Sequence, residues 1–212
     1  MHLRGEDQIV GGCGVKSATD AEYGVRLRRT LSFLLLSILA VQAWANDDSL
    51  WMKLKGESDL VVLMRHAQPA GGNPLIWDES GNCVGEPMLT EGGRAHARRI
   101  GEAFASHGIK PTVISSPMCR CRDTARIAFG DTFATDGALR EVASADSGRA
   151  KQFERTAHSL IASRRGSAPV VFVSHRPNVD LLTMELIDSG DLLVGRMNDK
   201  GEIDVLGKIR VD

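Results

Sequence analysis

The chain has 212 residues, with 26 Lys and Arg against 27 Asp and Glu, and a formal net charge of −1. A balance this neutral, with no basic patch interleaved with aromatics and no zinc-ligand spacing, argues against nucleic acid as the main partner and for one globular domain. Aromatics make up only 5% of the residues and tyrosine occurs once, so the core must be built from aliphatic side chains and alanine.

In chain order, the first legible stretch is a targeting segment. Arg26, Arg28 and Arg29 form a basic cluster, Thr30 to Val41 (TLSFLLLSILAV) an apolar stretch, and Ala43-Trp44-Ala45 a small-x-small cleavage pattern. The apolar stretch is short for a permanent span. An uncleaved N-terminal anchor is the weaker alternative, and no cysteine marks a lipoprotein site. Residues 1–24 are polar and glycine-rich and precede a signal that normally opens a chain, which suggests translation from a later codon such as that of Val25. The expected division is therefore 1–45, an N-terminal extension and signal peptide that is removed, and 46–212, a mature domain, periplasmic or secreted, with no stable membrane span.

Residues 49–56 are a short lead-in with Leu50, Trp51 and Leu54 apolar. Leu60 to Met64 then form an unbroken apolar run that stops abruptly at Arg65-His66. A run of this length reads as a strand buried on both faces, whose carboxyl end is where α/β proteins place ligands. The segment from Gln68 to Gly85 is rich in Gly, Pro, Asn and Asp and reads as a long substrate-facing flap. Thr90 caps a helix with Ala97, Ile100 and Phe104 on one face, ended by Gly108. His96 and His107 on that helix read as surface residues. Pro111 to Ser115 is a second strand, and the helix after Pro117 runs to Gly130. Residues 132–139 are a weak strand or link, and 148–164 a helix with Phe153, Ala157, Leu160 and Ile161 on one stripe. Pro169 to Ser174 repeats the pattern of the first strand and ends in His175. A helix opening at Pro177 holds Val179, Leu182 and Leu186. Asp191–Met197 and Ile203–Val211 close the chain as a hairpin around Asn198-Asp199-Lys200-Gly201. Strands alternating with helices predict an α/β three-layer sandwich: a mostly parallel central sheet flanked by helices, with the C-terminal hairpin at its edge.

Four pieces carry chemistry in a fixed order: Arg65-His66-Ala67, Leu89-Thr90 with Gly93, Ser116-Pro117 with Arg120 and Thr124, and Ser174-His175. Together they resemble the histidine phosphatase superfamily, the phosphoglycerate-mutase-like fold, over residues 59–180. The resemblance implies hydrolysis of a phosphomonoester, with His66 as the nucleophile that is transiently phosphorylated. Arg65 and Arg120 would clamp the phosphoryl dianion, for which a guanidinium fork is suited because it bonds two oxygens at once and stays charged. His175 would be a further donor. An acidic residue after the third piece protonates the leaving oxygen in the superfamily, and Glu141 is the match, with Asp146 as the nearby alternative. No metal or other cofactor is implied.

Two departures stand out. Gln68-Pro69-Ala70-Gly71-Gly72-Asn73 replaces the acidic residue and nearby Asn that often follow the first piece, and the large helical insertion of phytases is missing. The export signal, the short domain and the Cys-x-Cys around Arg120 resemble small exported bacterial phosphatases, one branch of which acts on the phosphorylated core of lipopolysaccharide. The expected partner is thus a small phosphorylated substrate or an envelope glycolipid phosphate. The competing reading is a catalytically silent phospho-ligand-binding module of the same fold; a mutase is disfavoured by the short, exported chain.

Removal of residues 1–45 takes Cys13 with it and leaves Cys83, Cys119 and Cys121. Three thiols in an oxidising compartment predict one disulfide and one leftover. The expected bond joins Cys83 to Cys119 or Cys121, pinning the flap to the rim of the pocket.

Overall fold

The computed structural model describes residues 47–142, 147–164 and 169–212. The signal segment with its cleavage site, and Asp146, lie outside the described residues. The first described element is a helix over 47–56, here α1, which buries Leu50, Trp51 and Leu54.

Six strands form one sheet in the order β3-β2-β4-β1-β5-β6. At its centre are β1 (Leu60–Arg65) and β4 (Val170–Ser174), paired in parallel, with Arg65 opposite Ser174. Next to β4 come β2 (Thr112–Ser115) and the short β3 (Ala134–Thr135), also parallel. On the far side of β1 the hairpin β5 (Leu192–Met197) and β6 (Ile203–Ile209) is antiparallel and supplies the edge. The sheet is mostly parallel, as its continuous apolar strands require: both faces are covered by helices.

Side-chain alternation divides the core in two. Val62, Met64, Val171 and Val173 face α1, α2 (Glu91–Ser106) and α3 (Cys119–Phe129), packing on Leu54, Ile100 and Phe104. Val61, Leu63, Val170 and Phe172 face α4 (Ser147–Ala162) and α5 (Arg176–Thr183), packing on Ile161 and Val179. Each of these eight strand side chains is at most 3% exposed, and burying a Val, Leu or Phe side chain is worth about 1.5–3 kcal/mol.

Two helix ends depend on close contacts. The Thr90 side chain accepts from the Gly93 N–H at 2.9 Å, and the Gln68 carbonyl accepts from the Thr90 N–H at 3.0 Å. A Cβ at Gly93 would lie 2.2 Å from that same Gln68 oxygen, so only glycine lets α2 begin against the chain leaving the first motif. At the other end of the chain, α5 stops at Thr183, where Met184 turns left-handed with φ 60°. Leu186 therefore lies beyond the helix expected to hold it, and is 57% exposed.

The two histidines expected at the surface are half-buried. His107 stacks on Trp51 with ring centroids 4.5 Å apart, and the His96 ring lies where a Cβ on Gly190 would be 2.3 Å away.

Candidate active site

The carboxyl ends of β1, β2 and β4 converge because their ladder runs one residue past the strands: the His66 N–H donates to the Ser174 carbonyl at 3.0 Å, and the Ser116 N–H to Val173 at 2.8 Å. This brings His66 and His175 side by side, ring centroids 5.4 Å apart. Arg120, on the first turn of α3, reaches between them with its whole side chain buried. Its Nε donates to His66 Nε2 at 3.2 Å, and its Nη2 lies 3.2 Å from His175 Nδ1. Thr124, one turn on, accepts from the Ala67 N–H at 3.1 Å and donates to the Arg120 carbonyl at 2.7 Å, joining helix to strand end.

These contacts set the state of His66. Its Nδ1 is 2.8 Å from the Ala67 carbonyl, which can only accept, so Nδ1 carries the hydrogen. Nε2, facing the guanidinium donor, keeps its lone pair. Burial, reinforced by the Arg120 and Arg65 charges, lowers the His66 pKa to about 3, against a weaker upward pull from the Ala67 hydrogen bond. The ring is neutral at every ordinary pH. Burial is the largest cause of this neutrality, ahead of the arginine charges. His175 is likewise held well below its usual value by burial, with His66 and the two guanidinium groups adding to the effect. Neutral His175 accepts from Arg120 at Nδ1 and donates from Nε2 to the Ser116 hydroxyl at 2.9 Å.

Glu141 follows the 3-10 turn Gly137–Leu139 and ion-pairs with Arg120 Nη2; its carboxylate is also 3.4 Å from His175 Nδ1. Arg140 lies 3.9 Å over the Trp77 ring, and Arg122 donates to the Gly81 carbonyl at 3.1 Å. Burial raises the Glu141 pKa and outweighs the opposing pull of Arg120 and Arg65. A carboxyl raised in this way can hold a proton to give.

All five expected residues are thus brought together. Arg65, His66, Arg120 and Glu141 line one cleft of about 290 Å³, with His175 beneath it. Its opposite wall is the flap, through Pro69, Ala70, Gly72 and Pro74, with Pro87 just beyond it, so the loop lines the cleft. Two donor atoms in this cleft, Arg65 Nε and Arg120 Nη1, are buried without a partner among the described residues. A buried donor without an acceptor is costly, and a phosphoryl oxygen would satisfy both. No group of His, Cys, Asp and Glu among the described residues is arranged to hold a metal ion.

Two residues of the site were not found from the sequence. Arg176, directly after His175, lines the cleft; its signal was a third arginine at a strand-to-helix junction. Glu86, buried in the flap, accepts from the Cys119 N–H at 2.8 Å and the Asp78 N–H at 2.9 Å. It thereby takes the first N–H of α3. Cys83 is bonded to Cys119, and Cys121 is the buried leftover thiol.

Residues 61–158 match the family model of the histidine phosphatase superfamily, branch 1. No curated protein matches the chain in sequence. Among solved structures, the product of open reading frame Rv3214 from Mycobacterium tuberculosis is 18% identical and superposes with a TM-score of 0.55, covering 71% of this chain and 97% of its own. SixA from Agrobacterium tumefaciens is 20% identical over 73% and 99%, with a TM-score of 0.50. Phosphoserine phosphatase from Entamoeba histolytica, solved with 3-phosphoglyceric acid, is 12% identical over 70% and 95%, with a TM-score of 0.51. At these identities the likeness is one of fold.

Proposed function

We propose that this chain, whose residues 61–158 match the family model of the histidine phosphatase superfamily, hydrolyses a phosphomonoester through a phosphohistidine at His66. The observation that carries the reading is the His66 ring itself: neutral, hydrogen at Nδ1, and its Nε2 lone pair turned toward Arg120 beside two unsatisfied guanidinium donors. In the first step Nε2 forms a bond to phosphorus while the ester P–O bond breaks, and the Glu141 proton passes to the leaving oxygen. In the second, a water attacks phosphorus, the P–N bond breaks, and Glu141 recovers its proton. Arg65 and Arg120 hold the phosphoryl oxygens throughout, stabilising charge in a fixed cage. His175, expected as a further donor, instead spends its one N–H on Ser116 and steadies Arg120 from beneath. A carboxyl whose pKa burial raises, set against Arg120 and His175, favours this reading over a silent phosphate-binding module, which would need no proton to give.

A phosphoramidate is acid-labile and alkali-stable, so the intermediate should be trapped by alkaline quench and lost on acid quench. His66→Ala should abolish turnover yet still bind orthophosphate. Near-normal hydrolysis by that variant would sink the mechanism.

The proposal extends to place and substrate. The basic, apolar and Ala-x-Ala order of residues 26–45 supports export, and an exported phosphatase meets envelope phosphates, of which the lipopolysaccharide core is the proposed target. N-terminal sequencing of the exported protein should begin at Asn46; retention of residues 30–41 contradicts removal of the signal.

A further inference from the structure

Three arginines and one carboxylate line the cleft, and their charges do not balance a simple phosphomonoester. Arg65, Arg120 and Arg176 carry +3. For Glu141 to act as an acid it must be protonated in the complex, and both histidines are neutral. A phosphomonoester dianion then leaves one positive charge over. The surplus has an address. Arg120 and His66 are buried at the floor, whereas Arg176 is exposed, at the mouth of the cleft beside Pro177. Arg176 has no hydrogen bond or ion pair among the described residues, unlike Arg120, which is held by Glu141 and by the Pro74 carbonyl at 2.8 Å. It is also close enough to Arg65 that its charge, after burial, is the next cause lowering the Arg65 pKa. An unpaired guanidinium beside another cation is an anion site awaiting its anion.

We propose that Arg176 forms a second anion subsite, so that the substrate carries, beside its reacting phosphate, a carboxylate or second phosphate on the leaving group. The inference rests on the hydrolase reading and names the substrate class of that same site. Arg176 holds the leaving group and does not touch the reacting phosphorus. Its loss therefore weakens binding of doubly anionic substrates in particular.

The test separates binding from turnover. On the His66→Ala background, 2-phosphoglycolate or 3-phosphoglycerate should bind about tenfold tighter than orthophosphate, about 1.4 kcal/mol, and adding Arg176→Gln should erase most of that ratio. In the active enzyme, Arg176→Gln should raise KM for doubly anionic substrates about tenfold more than for para-nitrophenyl phosphate. Arg176→Lys, which keeps the charge and loses the fork, should restore part of the difference. An orthophosphate-to-phosphoglycolate ratio that Arg176→Gln leaves unchanged overturns the subsite. Equal losses on singly and doubly anionic substrates also overturn it, making Arg176 a third ligand of the reacting phosphate. If the binding ratio responds as expected but the wild type hydrolyses nothing, the subsite stands and the hydrolase reading fails alone.

Discussion

Glu141 sits in opposing fields. Burial makes its charged form costly, while Arg120 and Arg65 favour that form, and burial wins. A proton held this way matters only when the leaving group is a poor one. Glu141→Gln should therefore slow hydrolysis of alkyl phosphates about 100- to 10,000-fold, the usual range for a lost general acid. The loss on para-nitrophenyl phosphate, whose leaving group departs as an anion, should be about tenfold or less. The sign of the pH effect follows. Raising pH through the Glu141 pKa removes the proton to be donated, so the wild-type rate on alkyl phosphates falls on the alkaline side, and the Gln variant lacks that limb. Steady-state pH profiles on both substrate types measure it. Equal losses on the two would mean that Glu141 only holds Arg120 in place.

At the level of elements, the flap is a fastened wall. Glu86 accepts from the first N–H of α3, Arg122 donates to Gly81, Arg120 donates to Pro74, and the Cys83–Cys119 bond ties residues 36 apart in sequence. Helix α3, whose N-cap Met118 supplies no side-chain acceptor, gains its cap from the wall it holds. By the loop-entropy account a cross-link of this span contributes about 3–4 kcal/mol. Changing both Cys83 and Cys119 to Ser should lower stability by about that amount in urea denaturation. KM should rise more than kcat falls, because the loosened loop lines the cleft without supplying a reacting group. Cys121 is buried and its thiol pKa is pushed up by that burial, so it does not exchange into the bond. In a protein of residues 46–212, which lacks Cys13, alkylation of the native oxidised form should label no thiol, and denaturation should reveal one; three free thiols would contradict the pairing.

In the molecule as a whole, what was legible in the sequence was what repeats a pattern. β1 and β4 announced themselves as continuous apolar runs, and their polar ends had to meet once the strands paired in parallel. Single polar side chains were harder to read, since a loop glutamate such as Glu86 looks solvated until its partners on α3 are known. His107 and His96 read as exposed for the same reason, their packing partners Trp51 and Gly190 being distant in sequence. The apolar spacing that ran on to Leu186 gave no sign that Met184 would turn left-handed. The buried histidines have one further consequence, which belongs to no single site. His66 and His175 titrate in the unfolded chain at about pH 6.5 and stay neutral in the folded one, His66 down to about 3. Between those values the unfolded state binds more protons, so stability is fully present above pH 6.5 and is lost as pH falls toward the folded values. Each histidine contributes a slope of about 1.4 kcal/mol per pH unit. Glu141 acts in the opposite sense, since its raised pKa makes the folded state the better proton binder between its usual value and the folded one. Two histidines outweigh one carboxyl, so the net slope on acidification below about pH 6.5 is a loss of stability. Urea midpoints across pH 4.5–7.5 should show that slope, and His66→Asn should flatten it by about one histidine's share. If the variant and the wild type fall in parallel, His66 is not buried neutral, and the nucleophile would not be ready at neutral pH.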